Sequence, residues 1–219
     1  MIIAFAGQKG GSGKSTVAIS TAVEWHARGK RVLLVDADTQ GSVRAWGERA
    51  AAQEQGAPTV VGMGAGMHRP DQLPALAQFY DVVLIDCPPR LDEVQRAAFL
   101  IADVAVLPCA PSAIETWALP ETVQYIEKAQ VIRPSLQAVI LITRKVPRTS
   151  LAKQARKELS RYGVPVLKTE LCHRIAYQQA PEAGAGITQY SPTSAAAAEM
   201  RSLVGELERL AKQRARAAA

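Results

Sequence analysis

Short apolar runs and helix-period stretches alternate along this chain almost without interruption. Seven runs read as strands, over 2–6, 31–36, 58–63, 80–87, 104–108, 136–143 and 166–171. The runs 2–6, 31–36 and 80–87 hold continuous Val, Ile, Leu or Ala stretches, the pattern of strands buried on both faces. Between them, residues 15–28 carry Val17, Ile19, Ala22, Val23 and Trp25 at helix-compatible spacing, with Gly29 as a stop. Further helices are predicted over 40–54, 71–79, 91–102, 114–131, 150–162 and 194–219, the last alanine-rich with a basic end. Strand–helix alternation predicts an α/β fold, a mostly parallel twisted sheet with helices on both faces. No linker or internal repeat divides residues 1–219, so a single domain is expected. In such sheets ligands bind beyond the carboxyl ends of strands. The glycine-rich stretch after the first strand, Asp36, Asp86 and Pro108 all fall at such ends.

Composition narrows the classes of function. At 48% hydrophobic and 21% charged residues, the chain is ordinary for a globular protein. Aromatics are only 5%, which disfavours base stacking as a main binding mode. A net charge of +6 permits a polyanionic partner without requiring one. The three cysteines, Cys87, Cys109 and Cys172, are scattered and read as reduced thiols. No apolar run is long enough to span a bilayer and no leader pattern opens the chain, so a cytoplasmic location is expected.

The chemistry is concentrated in F-A-G-Q-K-G-G-S-G-K-S-T, Phe5 to Thr16. Gly10, Gly11 and Gly13 let backbone N–H groups converge on an anion with no Cβ in the way, and the following helix N-terminus adds its positive dipole end. Ser12, Lys14, Ser15 and Thr16 complete a phosphate cradle in which Lys14 reaches the β- and γ-phosphates and the Ser15 hydroxyl holds Mg²⁺. Asp86 closes the strand V-V-L-I-D and is the expected carboxylate for that metal. Position 8, where the strict motif has glycine, is Gln, and Lys9 precedes the two glycines instead.

This K-G-G-x-G-K-[ST] form resembles the deviant Walker A loop of the ParA/MinD family of ATPases. The segment V-D-A-D-T-Q-G-S is similar to that family's D-x-D-P-Q-G-N, with Thr39 and Ser42 in place of Pro and Asn, and Asp86-Cys87-Pro88-Pro89 to its D-x-P-P switch segment. The resemblance implies a P-loop fold and a slow, partner-stimulated ATPase using ATP and Mg²⁺. It implies that Lys9 crosses the interface of an ATP-bound homodimer, that Asp38 positions the attacking water, and that Asp36 supports the metal. Pro111, Ser112 and Glu115 are expected near the dimer interface. Thr143 and Arg144 stand where relatives read the base, with Thr143 replacing the usual Asn. The chain starts on its first strand, so no N-terminal helix-turn-helix domain is expected, and the resemblance is to the small, ParF-like type.

By the same resemblance, the ATP dimer binds nonspecific DNA, associates with the nucleoid, and is released when a ParB-like adaptor stimulates hydrolysis. Lys153, Arg156 and Lys157, at i, i+3 and i+4 of a predicted helix, are candidates for that surface, with Arg201 on the last helix. A solvated helix face is the competing reading of such a run. Two other functions compete. A MinD-like membrane-cycling regulator needs an amphipathic C-terminal helix, and Met200, Leu203, Val204, Leu207 and Leu210 do form an apolar stripe. It holds no Phe or Trp, and such spacing is more often core, so no stable membrane association is expected. An iron–sulfur carrier needs cysteines paired across a dimer axis, which Cys87 and Cys109 fit poorly. For 168–193 the sequence yields no chemistry beyond Arg174, Tyr177 and Gln178 as a candidate adaptor contact.

Overall fold

The structure, a computed structural model, describes residues 1–54, 56–90 and 92–218, and the side chains of all of these but 113–115 and 214–218. Its strands are β1 (Ile2–Phe5), β2 (Val32–Asp36), β3 (Thr59–Gly62), β4 (Val82–Asp86), β5 (Val104–Cys109), β6 (Gln137–Lys145) and β7 (Val166–Cys172). Helices α1 (Lys14–Ala27), α2 (Ser42–Ala52), α3 (Leu73–Ala77), α4 (Glu93–Ile101), α5 (Ala113–Ile132) and α6 (Ser150–Leu159) separate them. Then α7 (Ala176–Glu182), α8 (Ile187–Tyr190) and α9 (Ala195–Ala218) follow β7. The strands form one parallel sheet in the order β3-β2-β4-β1-β5-β6-β7.

Alternation along each strand divides two cores. Ile3, Phe5, Leu34, Leu84 and Val106 face α1, α2 and α7–α9. Ala4, Ala6, Leu33, Val35, Ile85 and Leu107 face α3–α6. On the first face, Gly186 before α8 has no room for a side chain, since a Cβ would lie 2.6 Å from that of Val23.

The differences from the sequence reading lie at element ends and in 168–193. The helix expected from 91 starts at Glu93, because the Asp92 side chain caps it by accepting from the backbone N–H of Val94 and Gln95. The helix expected to run to 162 ends at Leu159 and tightens into a 3₁₀ turn before Gly163, at φ 73°. Residues 168–193 contain the end of β7 and two short helices.

The stripe Met200, Leu203, Val204 and Leu207 on α9 is fully buried against α1 and β7. It is core, and so is not presented to a bilayer. Among the described residues no helix is long and apolar enough to cross a membrane. Helix α9 also covers the β7 sheet edge. Glu206 accepts from the N–H groups of Lys168 and Thr169 at 2.7 and 2.9 Å. From the other side Arg156 donates to the carbonyls of Val166, Leu167 and Lys168. This edge is thereby closed to further strand pairing.

Candidate nucleotide site

The glycine-rich loop leaves β1 at the middle of the sheet and enters α1. Gly11 and Gly13 take φ of 78° and 97°, values that a Cβ disfavours, which is why glycine stands there. Gly13 is the N-cap of the 14-residue α1 and supplies no side-chain cap, so the first N–H groups of α1 face the loop's mouth. Lys14 is 7% exposed and folds back, its Nζ donating to the Lys9 carbonyl at 2.8 Å. The buried Ser12 hydroxyl donates to the same carbonyl at 3.3 Å. Gly10 and Gly11 are exposed, and Lys9, Ser15 and Thr16 are half-buried around the cradle.

Three acids stand beyond it. Asp36 and Asp86 end adjacent strands in register, and Asp86 is also in register with Phe5 of β1. Asp36 is fully committed. It accepts from the N–H of Asp38 at 3.2 Å and of Arg44 at 2.9 Å, and the Arg44 Nε lies 3.7 Å away. Asp38 is half-exposed, and its Oδ1 accepts from the N–H of Gln40. Asp86 differs from both, since neither of its buried oxygens makes a well-formed hydrogen bond, and the Ser15 hydroxyl and Lys14 ammonium are its neighbours. Burial pushes its pKa from 3.8 up to about 7; the neighbouring Ser15 hydroxyl and Lys14 ammonium pull it back, and Asp36 and Asp38 add to the rise. An orphaned carboxylate beside a hydroxyl and other acids is a position suited to a divalent cation. Among the described residues no three His, Cys, Asp or Glu side chains converge as a metal cluster. Mg²⁺ needs fewer, since it keeps several waters and takes one or two carboxylates beside substrate phosphates.

A cavity of about 270 Å³ opens from the loop toward β7, lined by Gly11, Gly13, Thr16, Thr143 and Arg144 on one side and by residues 171–174, Tyr177 and Gln178 on the other. Thr143 and Arg144 reach the loop itself. The Thr143 hydroxyl donates to the Ser12 carbonyl at 2.9 Å, and Arg144, at a left-handed φ of 51°, donates from Nη1 to the Gly11 carbonyl. The opposite wall holds Arg174, Tyr177 and Gln178, which the sequence reading offered only as an adaptor contact, together with Cys172 and His173, which it did not place at the site. Gln95, also missed, is 0% exposed and donates to the carbonyls of Pro88 and Gly7 at 2.6 and 3.3 Å. It ties the segment after Asp86 to the start of the loop.

The basic surface is narrower than the sequence suggests. Lys153 and Lys157 are exposed on α6. Arg156 instead pairs with Glu170 at 2.8 Å and with the β7 carbonyls. Arg201 donates to the Pro192 carbonyl at 2.8 Å. The two arginines are therefore tied into internal contacts. Cys87 and Cys109 are buried, which places neither at a surface where cysteines could pair across a dimer axis. The Glu115 side chain, expected at a dimer interface, lies outside the described residues.

A parallel sheet with a glycine loop leading from its central strand into a helix defines a P-loop NTPase fold. The family described as the CobQ/CobB/MinD/ParA nucleotide binding domain matches residues 3–187, and the chain belongs to it. It is 32% identical to the maintenance of carboxysome distribution protein A of Halothiobacillus neapolitanus, over 90% of this chain and 91% of that protein. It is 33% identical to the chromosome-partitioning ATPase Soj of Thermus thermophilus, over 94% of each. The fold matches the septum site-determining protein MinD of Pyrococcus horikoshii, solved with Mg-ADP, at a TM-score of 0.74 and 21% identity, over 97% of this chain and 98% of that one.

Proposed function

We propose that this protein is a ParA-type positioning ATPase that binds ATP with Mg²⁺, dimerises on ATP, holds nonspecific DNA, and distributes an intracellular cargo. The observation that carries this reading is the combination of Lys9 in the loop with the buried, unpartnered Asp86 beside Ser15 and Lys14. Ser15 and Asp86 would hold Mg²⁺, with Asp36 orienting the backbone around it. The metal would supply charge neutralisation at the β- and γ-phosphates. Lys14 leaves the Lys9 carbonyl for the phosphates, Lys9 reaches the partner's nucleotide, and Asp38, free on one side, orients the water. Phosphoryl transfer asks mainly for positioned charge, which these groups provide.

The two relatives are named for carboxysome distribution and chromosome partitioning. Both kinds of cargo, a protein assembly or DNA, are therefore open to this chain, with an adaptor that stimulates hydrolysis. Residence is cytoplasmic and nucleoid-associated. The buried α9 stripe argues against the membrane-cycling alternative.

The test is binding to random-sequence duplex DNA with ATP, ADP or no nucleotide at two salt concentrations. Binding with ATP alone, weakened by salt, supports the cycle. Active ATPase that binds no DNA under any condition overturns the DNA half of it. Lys14→Ala and Asp38→Ala are each expected to abolish turnover, and wild-type rates in both would overturn the site assignment.

A further inference from the structure

The cavity wall runs from the end of β7 through a short connection into α7, and four of its polar groups converge on one side chain of another element. Glu199 of α9 accepts from the Cys172 N–H at 3.1 Å. Its other oxygen takes two bonds from Arg174, from Nε at 3.1 Å and from Nη2 at 2.7 Å. The Tyr177 hydroxyl lies between Glu199 at 3.2 Å and the Ala196 carbonyl at 3.0 Å. Cys172, Arg174 and Tyr177 all line the cavity, whereas Glu199 does not. The carboxylate is only 16% exposed and rides on a helix whose neighbouring Ala196, Ala197, Met200 and Leu203 are at most 1% exposed. Charge-assisted bonds from a rigid element can fix a loop to the fraction of an ångström that recognition requires.

We infer that Glu199 is a positioning residue for base recognition: through Cys172, Arg174 and Tyr177, helix α9 sets the shape of the wall against which the nucleotide's base packs. This rests on reading the cavity as the nucleotide site. The division of labour has a geometric basis. The phosphate cradle is built from residues 10–16, and none of the contacts of Glu199 reaches it. Removing Glu199 should therefore loosen the base end and leave the phosphate end as it is.

The experiment compares Mg²⁺-dependent binding of ATP, GTP and inorganic tripolyphosphate to wild type, Glu199→Gln and Tyr177→Phe by calorimetry. Gln keeps the size of Glu but has one acceptor in place of two and no charge for Arg174. Wild type is expected to bind ATP more tightly than tripolyphosphate. In Glu199→Gln that advantage should shrink about tenfold and ATP-over-GTP preference should fall with it, while tripolyphosphate binding stays unchanged. Tyr177→Phe removes one hydroxyl and should shrink the advantage about two- to fivefold; it decides the matter if Glu199→Gln does not fold. An unchanged ATP advantage in the variants, or equal losses for ATP and tripolyphosphate, overturns the inference. A wild type that binds ATP and tripolyphosphate equally also overturns it while leaving the phosphate cradle intact. A wild type that binds neither removes the nucleotide reading itself.

Discussion

The Asp86 carboxylate is held where water does not reach it, with no well-formed hydrogen bond and only the Ser15 hydroxyl and Lys14 ammonium to offset its charge. A buried, unpartnered polar group costs about 1–3 kcal/mol, more when charged. In metal-free protein, Asp86→Asn removes the buried charge, though not the buried polar group, and is expected to raise stability near pH 8 in denaturant melts. The sign follows from the pKa, raised from 3.8 to about 7. The folded state resists ionisation, so the penalty is absent below about pH 4 and grows until pH rises past 7. The gain should vanish near pH 4. With saturating Mg-ATP the order should reverse, since only wild type is stabilised by that ligand. At the same scale, Lys9→Ala should stay monomeric in size-exclusion chromatography with Mg-ATP. A shift to dimer equal to wild type would remove Lys9 from the interface.

Among the elements, α4 and α9 matter through contacts that no local pattern announces. Gln95 fastens the start of α4 to the loops after β1 and β4 through the carbonyls of Gly7 and Pro88. Gln95→Leu leaves both carbonyls unpaired and should lower stability by about 1–3 kcal/mol. It should also weaken nucleotide-dependent protection of the Asp86, Cys87 and Arg90 amides in hydrogen exchange, because the segment after β4 loses its tether. For α9, Leu207→Ala removes a side chain that is 0% exposed in the core beside α1. A loss of about 2–5 kcal/mol is expected in urea melts. A stripe available to membranes would instead tolerate the change in solution, and liposome sedimentation with ATP should show no pelleting of wild type.

On the whole molecule, the α6 face is where the sequence-predicted cations divide into exposed and internally paired ones. Lys153 and Lys157 stand exposed on α6, while Arg156 and Arg201 serve internal contacts. Lys153→Gln with Lys157→Gln should weaken ATP-dependent DNA binding for every sequence alike. The slope of log K against log salt should fall by roughly two per protomer if both lysines meet phosphates. ATPase activity without DNA should be unchanged, since neither residue approaches the glycine loop. An unchanged slope makes α6 a solvated face.

The residues that need only local context were legible in the sequence. Continuous Val, Ile and Leu runs announced the parallel strands, and glycines at positive φ in the loop announced the turn into α1, because burial on both faces and backbone sterics act over a few residues. Asp36 and Asp86 could be placed at strand ends for the same reason. Tertiary structure alone decided that these two acids differ, one saturated by Arg44 and backbone N–H groups, the other unpartnered. It alone turned the α9 stripe inward, drew Arg156 to Glu170, and brought Glu199 to Arg174 across 25 residues of chain. Hydrogen bonds and desolvation depend on which groups meet in space, and a chain in order carries that information only through its packing.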